Sequence, residues 1–177
     1  MDLPEPGHGD VSGQSPEVHL PVRTRGFGHT DSGDQSVSAP SFKSDPEEFA
    51  GRSVLITGGT KGSGLAIAKR FAAAGANVVT IARSAPATAG PGQFIAADLT
   101  SAEGVGQVLS ALGDEAEKID AVIHVLGGSS APGGGFSALD DAAWQAELDL
   151  NLMPAVRLDR ALVPAMVRRG RGVVVHV

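Results

Sequence analysis

The sequence predicts an α/β chain: a doubly wound parallel sheet, incomplete at five strands, in the order 3-2-1-4-5. Two observations carry this. Short apolar runs without polar alternation, as strands buried on both faces require, alternate along the chain with segments whose apolar residues recur every three and four positions. Strands joined through such helical crossovers pair in parallel and wind right-handed, which leaves few topologies. A third observation bounds the domain, because the composition changes near residue 47. Residues 1–46 hold 6 of the 11 Pro, with 6 Gly and 7 Ser, and only 8 are Leu, Ile, Val or Phe. That is below the roughly 20 % that supports a core, and the segment reads as a disordered Pro/Gly/Ser-rich extension. The folded part is assigned to residues 47–177.

The elements follow in order. Ser53-Val-Leu-Ile-Thr57 is a short apolar run that ends in glycines, a first strand. Gly64 to Ala74 reads as a helix with Leu65, Ala68 and Ala72 on one face, and Gly75 is a natural terminating residue. Asn77-Val-Val-Thr-Ile81 and Gln93-Phe-Ile95 are the second and third strands. Ala102 to about Ala116 is helical, with Val105, Val108, Leu109 and Leu112 on one side. Asp120 to Val125 is the fourth strand, and a glycine-rich loop from Gly127 to Gly135 follows it. Asp140 to Arg169 predicts one long helix, with Trp144, Leu148, Leu152, Ala155, Leu158, Leu162 and Met166 along its apolar face. Pro154 should bend it, by removing the bond to the carbonyl of Leu150. Gly172 to Val177 is the fifth strand.

Composition excludes several classes of function. The chain has 177 residues, a net charge of −6, no Cys and no Tyr. Without Cys there are no disulfides, thiolate nucleophiles or zinc-thiolate sites. The acidic balance argues against a nucleic-acid or anionic-membrane partner. No apolar run reaches the ~18 residues of a membrane span, and the polar N-terminus lacks a signal core, so the expected location is the cytoplasm. His8, His19 and His29 lie 11 and 10 apart with no further ligands nearby, read as solvated residues, and no metal site is assigned.

One motif carries chemistry. Thr57-Gly-Gly-Thr-Lys-Gly-Ser-Gly64 lies between the first strand and the first helix, with the spacing Gly58-x3-Gly62-x-Gly64. Glycines there let the backbone turn sharply and admit a pyrophosphate closely, while the helix N-terminus offers unpaired N–H groups and a positive dipole end. In this setting the motif points to dinucleotide binding. A phosphate loop of the Gly-Lys-Ser/Thr kind is excluded, because no such triplet closes it.

With these pieces in place, the chain resembles the classical short-chain dehydrogenase/reductase family over residues 49–177. Besides the glycine motif, the resemblance rests on Ala97-Asp-Leu99, Asp120-x3-His-Val-Leu-Gly-Gly128 and Asn151-Leu152. It implies the N-terminal part of an NAD(P)-binding Rossmann domain. Gly58, Gly62 and Gly64 would line the cofactor phosphates, with Thr60, Lys61 and Ser63 in the same turn. Asp98 would accept from the adenine amino group, with Leu99 flanking the ring; alternatively Asp98 caps the next helix. Gly127 and Gly128 match the glycine end of the family's Asn-Asn-Ala-Gly motif, whose two Asn positions here are His124 and Val125. His124 reads as a satisfied core histidine and His176 as a strand-pairing residue. Asn151 matches the family's catalytic helix Asn, which holds a water in a proton relay, and it also reads as a cap at the Pro154 bend.

Cofactor choice is open to a physical reading. An NAD site wants a carboxylate at the end of the second strand for the ribose 2′-OH. Here Ala82 and Arg83 stand there, and Lys61 precedes Gly62. Two cations without an acid suit a 2′-phosphate, so NADP is expected over NAD; solvated surface charges are the alternative. The family's remaining catalytic groups, a Ser and a Tyr-x3-Lys, would follow the fifth strand. The sequence ends at Val177 and has no Lys beyond Lys118. Ser129 and Ser130 read as loop residues. The expectation is therefore a truncated, inactive NADP-dependent oxidoreductase for a carbonyl or alcohol substrate. The alternative is a non-catalytic dinucleotide-binding module that acts by interaction. An uncovered fifth strand predicts a homo-oligomer.

Overall fold

Residues 45–177 are described by the computed structural model of the chain, and the expected extension lies outside them except for its last two residues. The elements are β1 (Ser53–Thr57), α1 (Gly62–Ala73), β2 (Asn77–Ala82), β3 (Gln93–Ala96), α2 (Ala102–Leu112), β4 (Ile119–His124), α3 (Asp141–Asn151), α4 (Met153–Arg169) and β5 (Val173–His176). Short 3-10 segments at Gly113–Lys118 and Phe136–Ala138 complete the order. The five strands form one parallel sheet in the order β3-β2-β1-β4-β5, as the alternation of strand and helix predicts.

β1 is central, and Val54 to Thr57 are all buried. Successive side chains leave a strand on opposite faces, and β1 divides accordingly. Leu55 joins a core with Ile81, Ile95 and Val122 under α2 and α4, whose Val108, Leu158 and Leu162 are fully enclosed. Val54 and Ile56 face the other way, with Val78, Ile123 and Ala68 of α1. The central strands β1, β2 and β4 are thus covered on both sides, which is why they read as largely apolar runs.

At the amino ends of the strands one carboxylate sets the register. Asp120 Oδ2 accepts from Ser53 N at 3.2 Å, and Oδ1 accepts from Arg171 Nε at 3.1 Å. Arg52 and Arg169 stand 3.8 and 3.9 Å from the same oxygen. The β1–β4 register shifts at this point, between Ser53 and Val54.

Two expectations are corrected. The long helix is two helices, parted at Leu152. Pro154 stands in the first turn of α4, where its missing N–H has no intrahelical partner to lose, so it starts a helix rather than bending one. The apolar repeat does not carry through the break. Leu158, Leu162 and Met166 are buried, whereas Trp144, Leu148 and Leu152 are exposed and α3 buries none of its residues. Pro164 lies inside α4, a feature absent from the sequence reading. α2 ends at Leu112 instead of near Ala116, because Gly113 adopts φ +53° and the chain tightens into a 3-10 turn. β5 forms one edge of the sheet, with Val173 and Val175 exposed. Among the described residues no helix is long and apolar enough to cross a membrane.

Candidate functional site

The glycine turn leaves the carboxyl end of β1 and doubles back into α1. Gly58 adopts φ +68°, and its N–H donates to Ile81 O at 2.8 Å. A side chain at Gly64 would place its Cβ 2.3 Å from Gly58 O, so the turn closes only on a residue without one. Gly62 borders open space, Lys61 and Ser63 are exposed, and Thr60 is half-buried. The first turn of α1 has no acidic residue, and Lys61, at its cap position, makes no side-chain bond to it. The contrast with two other helices is direct. Ser101 caps α2 through Gly104 N at 3.0 Å, and Asp140 caps α3 through Ala143 N at 2.9 Å. The N-terminus of α1 therefore presents N–H groups without a capping side chain, which suits an anion.

The opposite wall is the exit from β4. Thr57 is fully buried, and its Oγ1 accepts from Val125 N and Leu126 N, each at 3.1 Å. This hydroxyl ties the exits of the two central strands together, a bracing role the sequence reading did not assign. Asn151, the last residue of α3, clamps the loop beyond. Its Oδ1 accepts from Gly128 N at 2.9 Å, and its Nδ2 donates to Gly128 O and Glu147 O, both at 2.9 Å. The helix-cap reading of Asn151 is corrected: α4 has no side-chain cap, and the Asn151 amide turns to the loop instead. Glu147 Oε1 accepts from Ser129 Oγ at 3.1 Å and Ser130 N at 3.2 Å, which holds both serines in the loop. Glu147 was not singled out from sequence; its i,i+4 spacing to Asn151 on one helix was the available signal.

The third wall follows β3. Asp98 Oδ1 accepts from Thr100 Oγ1 at 2.8 Å and Thr100 N at 3.0 Å, and Ser101 rather than Asp98 caps α2. The Thr100 hydroxyl, then its N–H, lower the Asp98 pKa; slight burial opposes them, and the nearby charge of Arg83 lowers it further. Leu99 departs from expectation. Its side chain is wholly enclosed in the larger core and has no face to offer a ring. Arg83 and Lys61 are exposed, and among the described residues neither forms an ion pair. His124 is buried and bonded to Asp159 Oδ1 at 2.9 Å, as a satisfied core histidine should be. His8, His19 and His29 lie outside the described residues.

A parallel sheet in this order, with a glycine turn leading from its central strand into an open helix N-terminus, is a Rossmann-type domain. Residues 52–177 match the family model of the short chain dehydrogenases, and the chain belongs to the short-chain dehydrogenase/reductase family. A short-chain dehydrogenase/reductase from Burkholderia xenovorans is similar at 28 % identity and TM-score 0.63, covering 73 % of this chain and 56 % of its own. One from Mycobacterium ulcerans is similar at 27 % identity and TM-score 0.62, covering 73 % and 51 %. A short chain dehydrogenase from Leptospira borgpetersenii, solved with bound NAD+, shares the fold at 19 % identity and TM-score 0.62, covering 74 % and 52 %. The chain thus spans about half the length of these solved relatives. Comparison with curated proteins returns no match.

Proposed function

We propose that residues 47–177 form the cofactor-binding part of a cytoplasmic NADP-dependent oxidoreductase acting on a small carbonyl or alcohol. The uncapped N-terminus of α1 behind the Gly58–Gly64 turn carries this reading. Gly58, Thr60, Gly62, Ser63 and Gly64 would surround the pyrophosphate, Asp98 the adenine, and Gly127 and Gly128 the nicotinamide side. A bound nicotinamide dinucleotide supplies hydride transfer to or from the substrate carbon. The chain's own residues bind and orient it. Asn151 and Thr57 act as positioning residues, since they hold the Val125–Gly128 segment beside the glycine turn through the backbone N–H groups of Val125, Leu126 and Gly128. The preference for NADP is supported by two exposed cations, Arg83 directly after β2 and Lys61 at the cap of α1, with no carboxylate at the end of β2 itself.

The 177 residues include no Tyr, so they hold no phenol to donate a proton, and we take them to be inactive in turnover by themselves. That same fact favours a second reading, a dinucleotide-binding module that acts by interaction. The exposed edge of β5 supports a second copy of the chain as a partner in either case.

The test is fluorescence titration of the purified chain with NADPH and with NADH. NADPH should bind more tightly, and Arg83→Asp should weaken NADPH by roughly 10- to 150-fold, the loss of a charged partner worth about 1.5–3 kcal/mol. Equal affinity for the two cofactors, or an Arg83→Asp chain that still prefers NADPH, refutes the assignment. Hydride transfer by the purified chain would refute its inactivity. Cofactor binding without turnover, together with capture of a folded partner, would favour the binding module.

A further inference from the structure

Three donor groups converge at the carboxyl ends of β4 and β5. His124 and His176 are the last residues of their strands, and the parallel ladder sets them side by side in register. Their rings stack, with centroids 4.8 Å apart and planes inclined by 18°. Asp159 of α4 offers one oxygen to each imidazole. Oδ1 lies 2.9 Å from His124 Nε2, and Oδ2 lies 4.0 Å from His176 Nε2. One ligand atom from each of the three residues falls within 4.8 Å of the others.

The His124–Asp159 pair alone is an ordinary buried hydrogen bond. It leaves two things unexplained. The second imidazole aims its nitrogen at the same carboxylate from beyond hydrogen-bond reach. The half-buried Asp159 carboxylate, among the described residues, has only these imidazoles as partners and no Arg or Lys. Burial grades across the cluster, from His124 at 6 % exposed through Asp159 at 26 % to His176 at 62 %. It has a closed floor and an open mouth.

We propose that His124, Asp159 and His176 form a site for a divalent transition metal of the zinc type. Two imidazole nitrogens and one carboxylate oxygen suit such an ion far better than magnesium or calcium, which seek oxygen alone. Bonds of about 2.0–2.1 Å set tetrahedral donors roughly 3.3 Å apart. The His124–Asp159 spacing already lies near that, and the exposed His176 ring closes the rest by swinging inward. Water, reaching the ion from the His176 side, takes the remaining position. Two neutral imidazoles and a carboxylate carry one negative charge, so a divalent ion is not over-neutralised. Once bound, the ion joins β4, β5 and α4 at the edge where the Val125–Gly128 segment begins.

Calorimetric titration of the chelator-treated full chain with ZnCl2 tests this, with MgCl2 as control. The tail histidines could compete, so the reference protein carries His8→Gln, His19→Gln and His29→Gln. One Zn2+ per chain is expected for that reference, with no Mg2+ heat. His176→Ala is the first variant, because its side chain is exposed and the fold should survive, as circular dichroism would verify. Removing a ligand should weaken Zn2+ by about 100-fold or more, at least the loss typical of outer-shell partners. Asp159→Asn should act likewise. Co2+ substituted into the reference should give visible absorption that His176→Ala abolishes. Absence of zinc binding in the reference, or an unchanged affinity in folded His176→Ala, overturns the proposal.

Discussion

Replacing Thr57 by Val tests the bracing of the two central strands. The substitution keeps volume and β-branching and removes only the hydroxyl. That hydroxyl accepts from Val125 N and Leu126 N at 3.1 Å each. Both donors would lose their partner, at a cost of about 1–3 kcal/mol for a fully buried group. Val125 and Leu126 are half-buried, so water recovers part of this, and a total of roughly 2–3 kcal/mol is expected. An unfolding entropy of about 2.1 cal/mol/K per residue, over a domain of about 130 residues, converts this into a Tm lower by about 7–11 °C. Thr57→Ser is the comparison: it retains the acceptor and loses one methyl, worth about 1 kcal/mol. Thermal and urea unfolding followed by circular dichroism would measure both. The reasoning fails if Thr57→Val matches the parent chain, or if Thr57→Ser is the less stable of the two.

Gly64→Ala should destabilise by about 1–3 kcal/mol and abolish dinucleotide binding, since its Cβ falls 2.3 Å from Gly58 O. Gly106→Ala in α2, where an added Cβ meets nothing, should instead stabilise by about 0.5–1 kcal/mol; urea unfolding would compare them. The Asp98 carboxyl titrates below its ordinary value of 3.8, chiefly through the Thr100 hydroxyl. A depressed carboxylate stabilises above its unfolded pKa, and that contribution fades as pH falls through the lower folded value. Thr100→Val should raise the Asp98 pKa toward 3.8 and shrink this acid-side loss; carboxyl NMR titration showing no change would contradict the hydrogen-bond origin.

The sheet order and strand placement were legible because β1, β2 and β4 are covered on both faces and are therefore largely apolar, with Thr57, Thr80 and His124 as the buried polar exceptions. The glycine turn was legible for a steric reason: Gly64 admits no side chain, and Gly58 and Gly62 take left-handed backbone angles that favour glycine. What escaped the sequence was set by contacts between distant segments. The Thr57 hydroxyl acts across 68 positions, and Asp159 meets His124 across 35. A threonine closing a strand and an acid on a helix look ordinary until the partner is known. The break at Leu152 escaped for a local reason. Trp144, Leu148 and Leu152 continue the spacing of Ala155, Leu158 and Leu162, but a proline in the first turn of a helix and one inside it look alike in sequence.

The pairing of β1 also has a kinetic side. Its partner on one flank, β2, begins at Asn77, whereas its partner on the other, β4, begins at Ile119. Closing the longer loop costs more chain entropy, about 0.6 kcal/mol for each doubling of length, so β1–β2–β3 is favoured to assemble before β4 docks. The glycine turn is walled by both: Gly58 donates to Ile81 O, and a Cβ added to Gly58 would fall 3.2 Å from the backbone of Val125 and Leu126. An intermediate built from the first three strands would hold one side of that turn and lack the other. An anion that needs both sides can recognise only chains in which the fourth strand has arrived, and its binding would then count completed sheets.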